Sequence, residues 1–339
     1  MNKQELIKRW ETVEGKLQQE AIISCLTKGT PLSSIPNLEK NKGRWDLRGA
    51  KLSILQKERE INVEQHSLIQ KSGSLKLKNV VLENIDFSFC NLSYSLIEKC
   101  IIQNCVFEET KAKEVTIYAS DFNECFFIKA DFSYSFMNEN IGRNSGSFKK
   151  TEFIETNLEE CSFCFPLIEH CFFKNCKLYA TNFNGSRVSN SKFAGLLDSP
   201  IFCGHPKRIN KSLFLLFNRI NPKGYFNPML NVDFSEAKLI GVSFINEIDL
   251  NKCIFPNDKN NYIFVKDIHK TFPLVKNFVE NNWDGEDKRK ALNLIEYIYL
   301  SKDRQNQRMD FIDKFLLIDD GKEQKFGELF FDLIAKLNK

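Results

Sequence analysis

Large apolar residues recur at every fifth position between Leu75 and Gly195. A helix would displace successive repeats by about 140° around its axis, and a strand would alternate them between its two faces. The chain must therefore turn once per repeat. If each turn is close to a right angle, four repeats close one square coil, and stacked coils pair through their backbones. The series comprises Leu77, Leu82, Phe87, Leu92, Ile97, Ile102, Phe107, Ile117, Phe122, Phe127 and Phe132, and, after a one-residue slip near Gly142, Phe148, Phe153, Leu158, Phe163, Ile168, Phe173, Leu178, Phe183, Val188 and Phe193.

The position two residues before each central apolar residue holds a small side chain. A large and a small inward residue on each side would fill a narrow core. Free cysteine packs as a small buried hydrophobe, so this register explains eight of the eleven cysteines without chemistry. They are Cys90, Cys100, Cys105, Cys125, Cys161, Cys171, Cys176 and, in a later repeat, Cys253.

Several repeats carry a more specific motif, including CNLSY from Cys90, ADFSY from Ala130 and TNFNG from Thr181. In these motifs the chain resembles the pentapeptide-repeat family, whose pattern is A(D/N)Lxx. The resemblance implies a mainly β fold, a right-handed quadrilateral β-helix. The sequence departs from the pattern in its cysteines and at five positions where Asp or Asn is usual, which we expect to loosen the turns. Those positions are Leu96, Ile101, Phe126, Leu167 and Phe172.

The flanking segments predict caps for the open ends of the solenoid. We expect an N-terminal helical cap at 1–42, with Leu6, Trp10, Val13 and Leu17 at helical spacing, a solenoid at 43–259, and a C-terminal α-helical domain at 260–339. Insertions are expected at 54–74 and 196–231, the second with a helix over 210–220. The last domain should contain helical segments through Leu274, through Leu292, through Met309 and Ile312, and through Phe326, with a helix start at Asp284 or Glu286 and a stop at Gly321.

Composition fits an ordinary globular protein, with 42% hydrophobic and 27% charged residues and a net charge of +4. The polar N-terminus and the lack of a long apolar run predict a cytoplasmic protein without a membrane segment. No segment is basic enough to predict direct nucleic-acid binding.

Catalytic, cofactor and metal sites are not expected. Cys161 should point inward and Cys164 outward, so these thiols cannot converge on a metal. The four histidines, His66, His170, His205 and His269, stand in no catalytic motif. A phosphate-binding loop or nucleophile motif is also missing from the sequence.

Function is therefore expected on the outer surface. Tyr94 and Tyr134 should share one face, and Tyr118 and Phe136 the adjoining face, with Tyr179 two coils further. Aromatic side chains on an exposed face can anchor a protein partner. The alternative is that the insertions cover them. In the second insertion Phe214 and Leu215 fall outside the apolar stripe of the expected helix, beside the basic residues Arg208 and Arg219.

The leading hypothesis is a noncatalytic protein-interaction scaffold, whose partner is a protein of unknown identity or a second copy joined through a solenoid end. The family resemblance implies an alternative, a DNA-mimicking protector or inhibitor of a type II topoisomerase such as DNA gyrase. Such a mimic should present a long acidic stripe. Against this, residues 75–195 contain fifteen acidic and thirteen basic side chains.

Overall fold

The computed structural model of the chain describes residues 1–53, 57–61, 68–72, 74–140, 144–206, 226–300, 304, 306–317 and 324–338. It is a right-handed quadrilateral β-helix with helices at both ends, as the repeat predicts. The four sides of the coil are named here by their central residues. Face 1 passes through Phe87, face 2 through Leu92, face 3 through Ile97 and face 4 through Ile102.

Three faces are parallel β-sheets of short strands, and face 2 is held by single bridges such as Asn91 with Lys111. The sheet of face 1 begins with Lys40–Asn41, which pairs antiparallel with Arg44–Asp46, and continues with the parallel strands Ile85–Asp86, Val106–Glu108, Phe126–Ile128, Glu152–Ile154, Phe172–Lys174 and the beginning of Lys192–Asp198. The end of Lys192–Asp198 lies on face 2, where it pairs with Ala237–Ile240. Face 3 contains Lys76–Lys78, Leu96–Glu98, Thr116–Tyr118 and Phe136–Glu139, then Asn182–Phe183, Ile201–Cys203 and Ser243–Ile245. Face 4 contains Val81–Glu83, Ile101–Gln103, Asp121–Asn123, Ser147–Lys149, Leu167–Glu169 and Arg187–Ser189.

The central residues form a continuous aromatic core. On face 1 the rings of Phe107, Phe127, Phe153, Phe173 and Phe193 stack coil upon coil, with successive centroids 4.6–4.7 Å apart. Rings from other faces meet this column edge-on, as Phe132 meets Phe127 at 5.2 Å and 80°. Offset stacking and edge contacts are the favourable arrangements for aromatic rings, so the repeat spacing itself produces the packing.

The small inward position is occupied as the register predicts. Cys161, Cys171 and Cys176 are buried, and their thiols donate to carbonyl oxygens of the preceding coil, Cys161 Sγ to Phe132 O at 2.9 Å and Cys171 Sγ to Phe148 O at 3.2 Å. Burial raises the pKa of each of these three thiols to about 12. They therefore remain protonated at neutral pH and act as packing groups.

The corners are made by the residue two after each centre, which adopts positive φ even where it is not glycine. Tyr94 has φ 64°, Lys99 has φ 53° and Glu114 has φ 56°. At several repeats the Asp or Asn before the centre accepts the N–H two residues on, as Asn157 Oδ1 does from Glu159 at 3.1 Å. Phe126 and Phe172 lack this bond but lie in regular strands, so these departures from the motif do not loosen the coil.

The first interruption of the repeat differs from the expected one-residue slip. Twenty residues separate Cys100 from its neighbour Ser120 in the next coil, whereas 26 separate Asp121 from Ser147. The coil therefore contains six additional residues between Met137 on face 3 and Phe148 on face 4. If only one residue is counted as extra, every later repeat is assigned to the wrong face. Tyr179 is one of the residues affected.

The second interruption begins later than residue 196. The strands Lys192–Asp198 and Ile201–Cys203 belong to the solenoid, where Leu197 pairs with Leu239 and Phe202 with Phe244. The coil resumes at face 4 with Met229, next to Val188, since Ser189 bridges Leu230. The helix expected over 210–220 lies outside the described residues. In the expected insertion at 54–74, Lys57–Ile61 and Leu68–Ser72 pair as antiparallel strands.

Two helices, Lys3–Lys8 and Val13–Lys28, cover the first coil, with short 3-10 turns at Arg9–Glu11 and Leu32–Ser34. The expectation of one helical face through Leu6, Trp10, Val13 and Leu17 is only half right. Leu6 and Trp10 are buried, but Val13 and Leu17 are 72% and 62% exposed because the helix breaks at Thr12. The second helix buries Ile22 and Leu26 instead.

The C-terminal region combines helices with a two-stranded ribbon. The helices are Ile268–Asn282, Gly285–Leu294, Lys314–Leu317 and Gln324–Leu337, with a π-helical turn at Ile295–Tyr299. Asp284 is the residue before a helix, as predicted, whereas Gly321 lies outside the described residues. Ile312, expected in a helix, lies in the strand Asp310–Asp313, which pairs antiparallel with Tyr262–Val265. This ribbon packs Phe311 against Phe255 of the last coil, with ring centroids 4.3 Å apart.

Candidate protein-interaction surface

The five aromatic candidates on the solenoid differ in accessibility. Tyr134, Phe136 and Tyr179 are 48%, 45% and 53% exposed, while Tyr94 and Tyr118 are half-buried. The four candidates in the second insertion, Arg208, Phe214, Leu215 and Arg219, lie outside the described residues.

Tyr94 and Tyr134 occupy the same corner column, between faces 2 and 3. Their φ angles of 64° and 60° identify both as corner residues. Glu114 lies between them in the intervening coil, since the N–H of Tyr94 bonds to Lys113 and that of Glu114 bonds to Ser133. The ammonium of Lys113 lies 4.8 Å from the ring centroid of Tyr134. The two tyrosines are therefore aligned but separated by charged groups.

Tyr118 and Phe136 both lie on face 3, but at opposite edges of it. Thr116 pairs with Phe136, and Tyr118 pairs with Glu139 across a bulge. Partial burial, then the nearby carboxylates of Glu139 and Glu98, raises the pKa of the Tyr118 hydroxyl. This tyrosine is thus a neutral group in an acidic column of face 3, and it does not form one patch with Phe136.

Tyr179 is on face 2, not on the face of Tyr118 and Phe136. The N–H of Glu160, a residue of the same corner column as Tyr134, bonds to the carbonyl of Tyr179. Tyr179 therefore lies on the face 2 side of that corner, and face 3 lies on the other side. It lines an open groove of about 370 Å³ together with Lys177, Leu196 and Asp198. The wrong assignment follows from the six-residue insertion near Gly142, and the aromatic candidates do not converge on one site.

Face 1 carries several apolar residues at outward positions of neighbouring strands. Each of its strands exposes two outward side chains, one before and one after the central residue. The first column contains Val106, Phe126, Glu152, Phe172 and Lys192, and the second contains Glu108, Ile128, Ile154, Lys174 and Ala194. Phe126, Ile128, Ile154 and Phe172 are half-buried.

This strip has charged ends and a middle that is apolar except for Glu152. Ile128 pairs with Ile154, while Glu152 lies between Phe126 and Phe172 in the first column. Glu108 is exposed at one end and Lys174 at the other. A compact apolar centre with a polar rim is the usual anatomy of a protein interface.

Sequence reasoning missed this strip although the signal was present. Phe126 and Phe172 stand where the motif has Asp or Asn, and this departure bears on the outer surface as well as on the turns. The residue before the centre points outward, so an apolar side chain there is an exposed one. Ile128 and Ile154 are the corresponding residues after the centre, which complete the strip.

The thiols and histidines form no catalytic arrangement among the described residues. Cys161 donates into the core, while Cys164 lies on the outer side of face 3 with its sulfur 2.9 Å from Ser162 Oγ. Burial raises the pKa of Cys164 to about 11, so it is not a thiolate nucleophile at neutral pH. No group of three His, Cys, Asp or Glu side chains in the described ranges is placed to hold a metal ion.

Comparison with protein families identifies the repeat. Residues 156–195 match the family model for pentapeptide repeats in eight copies. The same five-residue register, with its stacked parallel strands, extends on both sides of this segment. The fold therefore places the chain in the class of quadrilateral β-solenoids, and residues 156–195 are pentapeptide repeats. No curated protein sequence matches it.

Solved structures similar to the chain are also pentapeptide-repeat proteins. Rfr23 from the cyanobacterium Cyanothece is 10% identical, with a TM-score of 0.31, and the match covers 34% of this chain and 89% of Rfr23. HetL, a protein involved in heterocyst differentiation regulation in Nostoc, is 12% identical, with a TM-score of 0.28 and coverage of 54% and 90%. QnrB1, a plasmid-mediated fluoroquinolone resistance protein, is 14% identical, with a TM-score of 0.23 and coverage of 53% and 82%.

One further structural observation concerns membranes. In the ranges that the structure covers, no helix combines the length and the apolar content needed to cross a bilayer.

Proposed function

We propose that the protein is a noncatalytic interaction protein and that face 1 is its contact surface. The observation that supports this most directly is the apolar strip Phe126, Ile128, Ile154 and Phe172 on a rigid parallel sheet. A rigid surface loses little conformational entropy on binding, and aromatic side chains at the centre of an interface supply most of its binding energy.

The aromatic candidates elsewhere would be secondary contacts. Tyr179 with its groove on face 2 and Phe136 on face 3 are exposed but isolated. Isolated surface aromatics are common and bind weakly without neighbours. The partner should therefore be lost when face 1 is changed and should be weakened only modestly when Tyr179 or Phe136 is truncated.

The test compares three forms of the purified protein in a pull-down from native extract. Phe126→Asp places a charge in the centre of the strip, and Ile101→Asp makes the same kind of change on exposed face 4 as a matched control. We expect partners retained by the wild type and Ile101→Asp to be lost from Phe126→Asp, with unchanged far-UV circular dichroism. Equal binding by all three forms, or binding by none above background, would contradict the proposal.

The alternative of DNA mimicry has less physical support. Mimicry requires a continuous acidic stripe, whereas lysines of this solenoid pair with glutamates of neighbouring coils. Lys150 lies 3.2 Å from Glu124, and Lys149 lies 4.0 Å from Glu169. Such alternation neutralises the columns along their length. Inhibition of gyrase supercoiling by the purified protein, or rescue of gyrase from a quinolone, would favour mimicry over the present proposal.

A further inference from the structure

The second outward column of face 1 is self-complementary about its midpoint, whereas in the first column Phe126 faces Glu152 across that midpoint. The midpoint lies between the strand of Phe126 and Ile128 and the strand of Glu152 and Ile154, which are paired neighbours. In the second column, an isoleucine lies on each side of the midpoint, and a charged residue follows each isoleucine. That residue is Glu108 towards the N-terminus and Lys174 towards the C-terminus.

We propose that face 1 binds a second copy of this chain, with the two solenoid axes antiparallel. The inference rests on the proposed function of face 1 and names its partner. A two-fold axis through the midpoint, lying across the strip, sets each column against the same column of the other copy, in reverse order. It places Ile128 against Ile154, Val106 against Phe172, and Glu108 against Lys174, each contact occurring twice.

The charges favour this orientation over the parallel one. Glu108 and Lys174 are both exposed, and neither has an ion-pair partner among the residues that the structure describes. In a parallel dimer the two columns exchange, so Glu108 would meet Val106 and Lys174 would meet Phe172. Both charges would then lose water without gaining a partner, which is costly. Only the antiparallel arrangement pairs them.

The described ends of both insertions lie away from face 1. The segment after Ser53 leaves from face 2 and returns at Leu75 before face 3, and the segment after Cys203 connects face 3 to face 4. Both therefore depart from corners away from face 1. The two ends of the solenoid are covered by the chain's own helices and ribbon, so the strand pairing that an open coil end would offer is blocked.

The contact should be weak and reversible. Four strands at sheet spacing give an apolar centre of roughly 20 Å by 10 Å. Even with the surrounding rim, this is at the small end of specific interfaces, below about 1,200 Å² in total. Glu152 reduces it further, because antiparallel pairing places this carboxylate against Phe126. Dimerisation should therefore be sought at tens to hundreds of micromolar protein.

The inference is tested by sedimentation equilibrium of the full chain at low salt, which measures the dimer affinity of variants with reversed charges at positions 108 and 174. Glu108→Lys should weaken dimerisation about tenfold, since two attractive pairs become two repulsive pairs, and Lys174→Glu should do the same. The double variant Glu108→Lys/Lys174→Glu should restore the wild-type affinity. Phe126→Asp should abolish dimerisation, Ile101→Asp should leave it unchanged, and Glu152→Leu should strengthen it.

The outcomes separate this inference from the proposed function. A wild type that remains monomeric at every concentration, or a double variant that is no better than the singles, overturns antiparallel self-association. If native-extract partners still depend on Phe126 in that case, face 1 remains an interaction surface for another protein. If Phe126→Asp changes neither self-association nor partner binding, both proposals fail.

Discussion

Replacing Asp46 with asparagine should detach the N-terminal helices from the first coil. Asp46 Oδ1 and Oδ2 accept hydrogen bonds from Arg9 at 2.8 and 3.0 Å and from Arg48 at 2.9 and 2.8 Å. Arg9 also donates to the carbonyl of Arg48, and Trp10 Nε1 donates to the same oxygen at 2.8 Å. One carboxylate thus organises two guanidinium groups and the beginning of the cap.

The expected loss of stability is about 2–3 kcal/mol. Removing one partner of a fully buried ion pair costs about 3–5 kcal/mol. The Asp46 side chain is only 7% exposed, but Arg9 and Arg48 are 25% and 21% exposed and can recover part of their hydration. An asparagine retains one acceptor, and this lowers the expected cost below the fully buried range. Its N–H₂ group, which is turned towards a guanidinium, acts in the opposite direction.

The same carboxylate predicts a pH dependence. Burial alone would raise the pKa of Asp46, but hydrogen bonds and charge from Arg48 and Arg9 outweigh it, so the folded-state pKa lies well below the usual value. A depressed folded pKa stabilises the native state fully above the unfolded pKa of about 3.9, and this contribution is lost as the pH falls towards the folded value. The difference between wild type and Asp46→Asn should therefore be constant from pH 7 to 5 and shrink below about pH 4.

Urea unfolding followed by tryptophan fluorescence measures this difference, since Trp10 is buried within the affected contact. Glu11→Gln is a matched control. Glu11 pairs with Lys51 between the same two elements at 3.6 Å, but both side chains are 57% exposed, so its loss should cost at most about 0.5 kcal/mol. If Asp46→Asn costs no more than Glu11→Gln, or if its effect persists unchanged at pH 3, the carboxylate does not anchor the cap.

Five further substitutions, at four positions, test other parts of the fold by urea unfolding. Tyr262→Phe removes the hydroxyl oxygen that accepts the Leu239 N–H at 3.0 Å, and should cost about 1–3 kcal/mol; a neutral result would mean that water replaces it. Lys99→Asn should be about 0.5–1 kcal/mol more stable than Lys99→Ala, because asparagine tolerates the corner φ of 53°, and equal stabilities would contradict this. Phe153→Ala opens the core stack and should cost about 3–5 kcal/mol, whereas Phe136→Ala, on the exposed surface, should stay near zero.

The core could be predicted from the sequence because the solenoid repeats one local rule. Phe127 and Phe153 follow from a five-residue period, and each is set by its own repeat and the coils beside it. The period also located the inward cysteines. It could not show how many residues an interruption adds to a coil, because Met137 and Phe148 are compatible with either one or six extra residues. That choice depends on the pairing of Phe122 with Phe148, a contact between coils.

The N-terminal cap shows a second limit of pattern reasoning. Val13 and Leu17 extend the helical spacing of Leu6 and Trp10, yet the helix breaks between them. Thr12 caps the second helix by accepting the Gly15 N–H, and a Cβ on Gly15 would lie only 2.0 Å from the Arg9 carbonyl oxygen. The Thr-x-x-Gly pattern is therefore the local signal of a tight break between two helices. A prediction from apolar spacing alone does not take this signal into account.

The candidate surface was recoverable in principle, but only after the register was combined with the direction of each side chain. An apolar residue before the centre points away from the core, so Phe126 and Phe172 are apolar residues on the outer surface. Tyr134 is aromatic, but its corner position isolates it from the other candidates. Side-chain direction within the repeat is thus more informative about function than residue type.

The end caps determine how such a protein can associate. At the C-terminal end the backbone N–H groups of the last coil bond to side chains of the covering region. The N–H of Leu239 is bonded to Tyr262, that of Gly241 to Asp313 at 3.1 Å, and that of Ile248 to Gln307 at 3.4 Å. These partners lie 23 to 72 residues away, so sequence could not pair them.

At the N-terminal end Gln19 accepts the Lys51 N–H at 2.8 Å, so at each end of the solenoid at least one backbone donor is engaged by a side chain of the cap. A second chain that added a strand would have to displace those side chains first. The faces carry no such cost, because their backbone groups are already paired within the sheets. Association should therefore proceed through side chains on a face. At the apolar residues of face 1, contact removes water from fewer polar groups than at the charged columns.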